Sequence, residues 1–194
     1  MFFLVAPWVA RLLVCAGVAT LTACSPTFNW RDVRPDNTRL AVLLPCKPNP
    51  AEKKVMLGER AVVLRLLGCT AGDASFAVTV AEVGDTSGPA GVMAQWQSAM
   101  LTHIKAQPIG ALSAKTQEKT DKDATEVLPF KLPGAAGHIP AVLLKARGQR
   151  PDGTAVSGQA AYFVQGTQVF QAVVYAADIP PEVAETFFSG LKFE

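Results

Sequence analysis

The stretch that decides the fold is residues 139–176, IPAVLLKARGQRPDGTAVSGQAAYFVQGTQVFQAVVYA. Its apolar and β-branched residues fall into three runs, which are separated by the segments 151–153 (PDG) and 165–167 (QGT). Short segments of this composition between apolar runs are typical of turns that join neighbouring antiparallel strands. The pattern therefore predicts a three-stranded antiparallel meander, with strands at 139–147, 154–164 and 168–176.

A second set of strand patterns lies before the meander. Gly58 and Glu59 stand between two apolar runs as a two-residue hairpin turn, in which glycine supplies the positive φ. From Ser75 to Val83 the residues alternate, with Phe76 on one face and Ala77 on the other. The strands predicted in this half are 40–44, 53–57, 60–67 and 75–83.

Two segments have the spacing of amphipathic helices. The first begins at Ser87 or Gly88 with Pro89, and the second opens at the pair Pro180-Pro181. Apolar residues recur along each segment at helical intervals, which predicts one buried face per helix. These residues are Met93, Trp96, Met100 and Ile104 in the first helix, and Val183, Phe187 and Leu191 along the second segment.

The order of strands, helix, strands and helix predicts an α+β fold. We expect a two-layer sandwich, in which one antiparallel sheet carries the helices on one face. A late meander, a terminal helix containing Phe187-Phe188 and the ending Leu191-x-Phe193 resemble Mog1/PsbP-type α/β proteins. This resemblance implies binding and assembly roles more than catalysis, and it assigns no functional residue.

The amino-terminal region carries an export pattern. Arg11 precedes the apolar run 12–21, and Leu21-Thr22-Ala23-Cys24 follows. This segment resembles the signal peptide and lipobox of bacterial lipoprotein precursors. The resemblance implies that the Cys24 thiol receives a diacylglycerol, that cleavage occurs before Cys24, and that the new amino group takes a further fatty acyl chain such as palmitate.

These features predict the domain organisation and the location of the protein. Residues 1–23 are expected to be a signal peptide, 24–38 a lipidated tether and 39–194 a single domain. Ser25, where aspartate would signal inner-membrane retention, favours an outer-membrane lipoprotein that faces the periplasm. An uncleaved membrane helix is the alternative, because residues 1–10 are themselves apolar.

Two aromatic residues stand in the predicted tether. Phe28 and Trp30, beside Arg31 and Arg34, allow two interpretations. They pack on the domain as a first strand, or they lie at the membrane interface as an aromatic anchor.

Cys46 and Cys69 are the cysteines left after the signal peptide and the lipidation site are set aside. In an oxidising compartment an even pair is expected to form a disulfide, here closing a loop of 24 residues. The rivals are a metal site, which would need further ligands at short spacing, and a redox pair, which would be spaced Cys-x-x-Cys.

Charge and composition exclude some function classes. The net charge is +2 and the basic residues are scattered singly, so we expect no nucleic-acid partner. The sequence contains no His-Glu-x-x-His, Gly-x-Ser-x-Gly, P-loop or dinucleotide-binding motif. We therefore expect no enzymatic activity, no metal site and no cofactor.

Few isolated residues suggest chemistry. His103 on the first helix and His138 in a Gly-Pro loop are the two histidines, and we expect one half-buried and one exposed side chain. Glu182 and Glu185 offset the helix dipole. Tyr162 and Tyr175 are expected to pack across strands.

The sequence thus predicts a lipid-anchored envelope lipoprotein that is a non-catalytic binding or assembly module, with a membrane attachment and an envelope protein as partners. The alternative is a binder of small apolar ligands, with a pocket between helix and sheet lined by Trp96, Phe163 and Phe170.

Overall fold

A computed structural model describes residues 27–57, 59–84, 88–106, 125–136 and 138–194. The predictions for the signal peptide, for Cys24 and for Gly58 therefore concern residues outside the described ranges. The elements are β1 (Arg31–Val33), β2 (Leu40–Leu44), β3 (Asn49–Leu57), β4 (Arg60–Ala71), β5 (Ala74–Glu82), α1 (Pro89–His103), β6 (Glu126–Pro129), β7 (Val142–Gln149), β8 (Ala155–Gln165), β9 (Gln168–Ala176), α2 (Pro181–Ser189) and β10 (Lys192–Phe193).

The main sheet has seven antiparallel strands in the order β3-β4-β5-β9-β8-β7-β6. The predicted meander is confirmed as β7, β8 and β9, and its turns place Gly153 and Gly166 at φ +84° and +60°. A second sheet joins β1, β2 and β10. The fold is therefore α+β and mostly antiparallel sheet, as the sequence predicts.

The two helices cover opposite faces of the main sheet. Trp96 and Met100 of α1 belong to one buried cluster with Tyr162, whereas Phe187 of α2 belongs to another with Phe76. The expected two-layer arrangement, with both helices on one face, is corrected by this division. The physical reason lies in β8 and β9, which are buried almost throughout and thus need a cover on each face.

The amino-terminal aromatic residues pack on the domain. Phe28 and Trp30 stack on each other, and each meets the edge of Phe76, with ring centroids 6.3 and 6.1 Å away. The Asn29 amide donates to the Pro45 carbonyl, and β1 then pairs with β2. Residues 28–33 thus belong to the fold, which overlaps the range 24–38 predicted as a tether.

The carboxyl terminus returns to the same strand. β10 pairs with the other side of β2, and Phe193 lies against the stacked rings of Phe163 and Phe170. The Glu194 amide donates to the Arg39 carbonyl. The sequence predicts an apolar tail here, and pairing with β2 makes it a strand.

Candidate functional site

A disulfide joins Cys46 and Cys69, whose Cα atoms are 5.9 Å apart and 23 positions apart in sequence. Cys46 follows β2 of the small sheet, and Cys69 lies in β4 of the main sheet. The predicted pair is therefore formed, and it ties the small sheet to the main sheet beside the buried Phe76.

The described chain begins at one end of the main sheet. A Cβ atom placed on Gly72, in the turn between β4 and β5, would lie 3.2 Å from Thr27 Cγ2. Strand register brings the end of β9 and the turn between β7 and β8 to this same end, since Ser75 pairs with Tyr175 and Ser157 with Ala176. We call it the Thr27 end, comprising Thr27 and the segments 72–73, 150–154 and 177–180.

A groove of about 490 Å³ opens beside the Thr27 end and is lined by two cationic side chains. Lys105 follows the carboxyl end of α1, and Arg147 lies on β7. Arg147 Nη2 is 3.9 Å from Asp178 Oδ1, and both side chains are more exposed than buried. Such an exposed pair contributes little to stability.

A second groove, of about 270 Å³, surrounds Arg65 on β4. Asp36 of the β1–β2 loop and Glu52 of β3 line it, together with Leu67. Arg65 Nε is buried and has no hydrogen-bond partner, and among the described residues no ion pair joins Arg65 to a carboxylate. We call it the Arg65 groove.

A third groove, of about 600 Å³, adjoins the Arg65 groove. The two share Pro50, Ala51 and Leu66. The adjoining groove extends past the disulfide to Lys47 and Thr70. The two grooves therefore adjoin each other along β4, and we refer to them together as the depression along β4.

Buried polar groups on the α1 side of the sheet form a closed network. Gln171 Nε2 donates to Tyr162 Oη at 2.8 Å, and Tyr162 Oη donates to Met100 Sδ at 3.3 Å. Burial raises the pKa of Tyr162 far above its usual range, and burial raises the pKa of Tyr175 to about 12. Because the donors and acceptors satisfy one another, the network stabilises the core and offers no reactive group.

The two tyrosines share a face of the sheet but are not direct partners. Tyr162 lies opposite Gln171, and Tyr175 lies opposite Gly158. Each meets a ring of α1, since Trp96 lies 6.3 Å from Tyr162 and His103 lies 6.5 Å from Tyr175 between ring centroids. The packing is therefore between helix and sheet more than across strands.

The remaining predicted site residues are dispersed. His103 and His138 are both exposed, so the expectation of a half-buried helical histidine is wrong for His103. Glu182 lies in the first turn of α2, as predicted, whereas Glu185 lies beyond that turn, so the prediction is wrong for Glu185. Within the part of the chain that the structure describes, no three histidine, cysteine, aspartate or glutamate side chains are grouped to hold a metal ion.

The side chains proposed to line an apolar pocket do not meet. Trp96 belongs to the buried cluster under α1, whereas Phe163 and Phe170 belong to the cluster under α2. The sheet itself separates them, so the three cannot line one cavity. This corrects the predicted pocket.

Sequence reasoning missed Arg65, the residue around which the Arg65 groove is formed. Its signal is visible in AVVLRLL at 61–67, where one arginine interrupts an otherwise apolar run. A charged residue at such a position is solvated, paired or reserved for a ligand, and only the structure distinguishes these cases.

Comparison with known proteins adds no assignment. No protein-family model matches the chain, and no curated protein shows significant similarity to it. Among the residues that the structure describes, neither helix combines the length and apolar character that crossing a bilayer requires.

Proposed function

We propose that the chain is a lipid-anchored envelope lipoprotein, attached to the outer membrane through Cys24 and facing the periplasm, that acts as a non-catalytic binding or assembly module. The observation that carries the proposal is the Cys46–Cys69 disulfide in a fold whose packing begins at Phe28, four positions after Cys24. Disulfides persist in oxidising compartments such as the periplasm. The lipobox resemblance supplies the attachment.

The position of Thr27 defines how such an anchor would hold the domain. Thr27 lies three positions after Cys24, and three extended residues span at most about 11 Å. The Thr27 end would therefore lie against the bilayer. Lys105 and Arg147, in the groove beside it, would meet anionic headgroups favourably.

A binding role is supported by the surface of the β3–β4 hairpin. Residues 63–67 of β4 are only half-buried, and Met56 of β3 is 62% exposed. Apolar surface of this kind, next to grooves, is typical of interaction sites. We place the envelope protein partner on this side of the molecule.

A Cys24→Ala variant tests the anchor. We expect an uncleaved precursor without incorporated fatty acid, since only a thiolate is nucleophilic enough for the alkylation. Metabolic labelling with an alkyne palmitate analogue and intact-mass measurement are the readouts, and Ser25→Ala is the control that should keep the label. Unchanged labelling of Cys24→Ala would contradict the proposal.

The finer fold assignment is also a proposal. The order β3–β4–β5, α1, β7–β8–β9, α2 supports the likeness to Mog1/PsbP-type proteins. Superposition of an experimental structure of this chain on structures of that family tests the likeness. A different order of connection between the β3–β4–β5 strands and the β7–β8–β9 meander in the family would reject it.

A further inference from the structure

Arg65 is the one charged residue of an otherwise apolar run on β4, and Asp36 and Glu52 line its groove without any described ion pair to it. Its neighbours on β4 include Leu64 and Leu66, and across the sheet it lies between Glu52 of β3 and Val80 of β5. The Nε–H is buried and donates to nothing. Buried donors in native proteins are almost always paired, so an acceptor from outside the chain is the simplest completion of this site.

The depression around Arg65 has the length of a short extended peptide. It follows β4 from Arg65 to Thr70, which corresponds to about 17 Å at the rise of a β-strand. A compact small anion would fill only the part at Arg65. A segment of about five residues in extended conformation would fill the whole depression.

The charges around the groove specify the chemistry of that segment. A guanidinium presents donors in a planar fork that matches a carboxylate. Asp36 and Glu52 line the same groove, so a second acidic group would be repelled whereas basic or neutral flanking residues are accepted. The segment should therefore carry one carboxylate at the Arg65 end.

The edge of β3 makes recognition by side chains preferable to strand addition. Pro50 has no amide hydrogen, and Lys53 and Lys54 are exposed on this edge strand. Proline and lysine on an edge strand prevent continuous pairing with another chain.

We infer that the Arg65 groove binds an extended segment of an envelope partner protein through one aspartate or glutamate side chain of that segment. The inference rests on the proposed function, because it names the partner chemistry of the binding module. Its test is independent of the anchor, which acyl labelling measures separately.

The experiment uses the intact lipoprotein, purified in a neutral detergent, and two end-capped pentapeptides. One is acetyl-Glu-Ala-Thr-Ala-Thr-amide, and the other has glutamine in place of glutamate. Heteronuclear NMR follows the Arg65 Nε–H resonance and the backbone amides of β3 and β4 during titration. We expect the glutamate peptide to shift the Nε–H resonance and to bind at least tenfold more tightly than the glutamine peptide.

Two variants and one competitor define the outcome. Arg65→Gln should abolish the difference between the peptides, and Lys54→Gln, which removes a charge from the same hairpin outside the grooves, should retain it. Equal affinity of both peptides, or binding of neither, would overturn the inference without any variant. An equal shift with inorganic phosphate at the same concentration would also overturn it, because the rest of the groove would then contribute nothing.

Discussion

At the residue scale, the core of this protein depends on a few polar groups that satisfy one another. Tyr162 is fully buried and has Gln171 and Met100 as partners. A neutral phenol is required there, because no cation is present in the network to balance a phenolate. Burial also favours the neutral phenol of Tyr175, which lies beside His103 at the end of α1.

The two tyrosines predict an alkaline limit of stability. Both have a pKa above the ordinary value of 10, and that of Tyr175 is about 12. A raised phenol pKa means that the unfolded chain loses its protons first, so the stabilisation is complete below pH 10 and is lost as the pH rises through 12. Absorbance at 295 nm should show almost no phenolate at pH 10 in the folded protein. Ordinary tyrosine titration of the folded chain would disprove this.

Gly148 predicts a local packing effect. A Cβ atom there would lie 1.9 Å from the Ile104 carbonyl oxygen, which accepts a hydrogen bond from the Gln149 amide. Gly148→Ala should destabilise the fold by about 1–3 kcal/mol, because backbone must move. The control is Gly91→Ala in α1, where no atom lies within 4 Å and stabilisation by about 0.5–1 kcal/mol is expected. Urea unfolding measures both, and equal effects would argue against this explanation.

At the element scale, the small sheet is held by contacts that are distant in sequence. β2 pairs with β1 on one side and with β10 on the other. Cys46 of the disulfide lies two positions after the end of β2. The bounds of β2 and β9 match their predicted ranges, since each is a short apolar run ended by a turn. The two-residue strand β10 has too few residues for any periodicity, and pairing alone defines it.

The disulfide predicts a measurable share of the stability. Replacing Cys46 and Cys69 together by alanine should lower the free energy of unfolding by about 3 kcal/mol, because the closed loop restricts the unfolded chain. Chemical denaturation of the variant and of the oxidised parent gives the difference. Reduction of the parent should reproduce it, and a free thiol in the unreduced parent would show that the bond is absent.

At the scale of the whole molecule, strand β4 connects the two ends of the domain. Asp73 lies in the turn at the Thr27 end, and Glu59 lies in the turn at the far end, both exposed. The 12 residues of β4 between them correspond to about 40 Å. A domain attached through Cys24 next to Thr27 would hold Asp73 near the membrane and Glu59 away from it.

This geometry predicts how the domain would be oriented on a bilayer if it is attached through Cys24 as proposed. If the proposed lipid anchor exists, single cysteines at Asp73 and Glu59, each carrying a fluorophore, should differ in quenching by headgroup-labelled lipid in nanodiscs that hold the native protein. The Asp73→Cys label should be quenched several-fold more, because energy transfer falls steeply with distance. Equal quenching of the two labels would mean that the Thr27 end of the domain does not face the bilayer.

The sequence by itself determined the strands of the meander, both helices, the cysteine pair and the antiparallel character of the sheet, because turns, periodicity and alternation are local properties. Only the tertiary structure decided that α1 and α2 cover opposite faces, since each face is completed by segments far apart in the chain. It also decided that Phe28 and Trp30 pack against the core and that the Arg65 Nε–H has no hydrogen-bond partner among the described residues. Burial and pairing depend on every neighbour at once, and no local pattern contains that information.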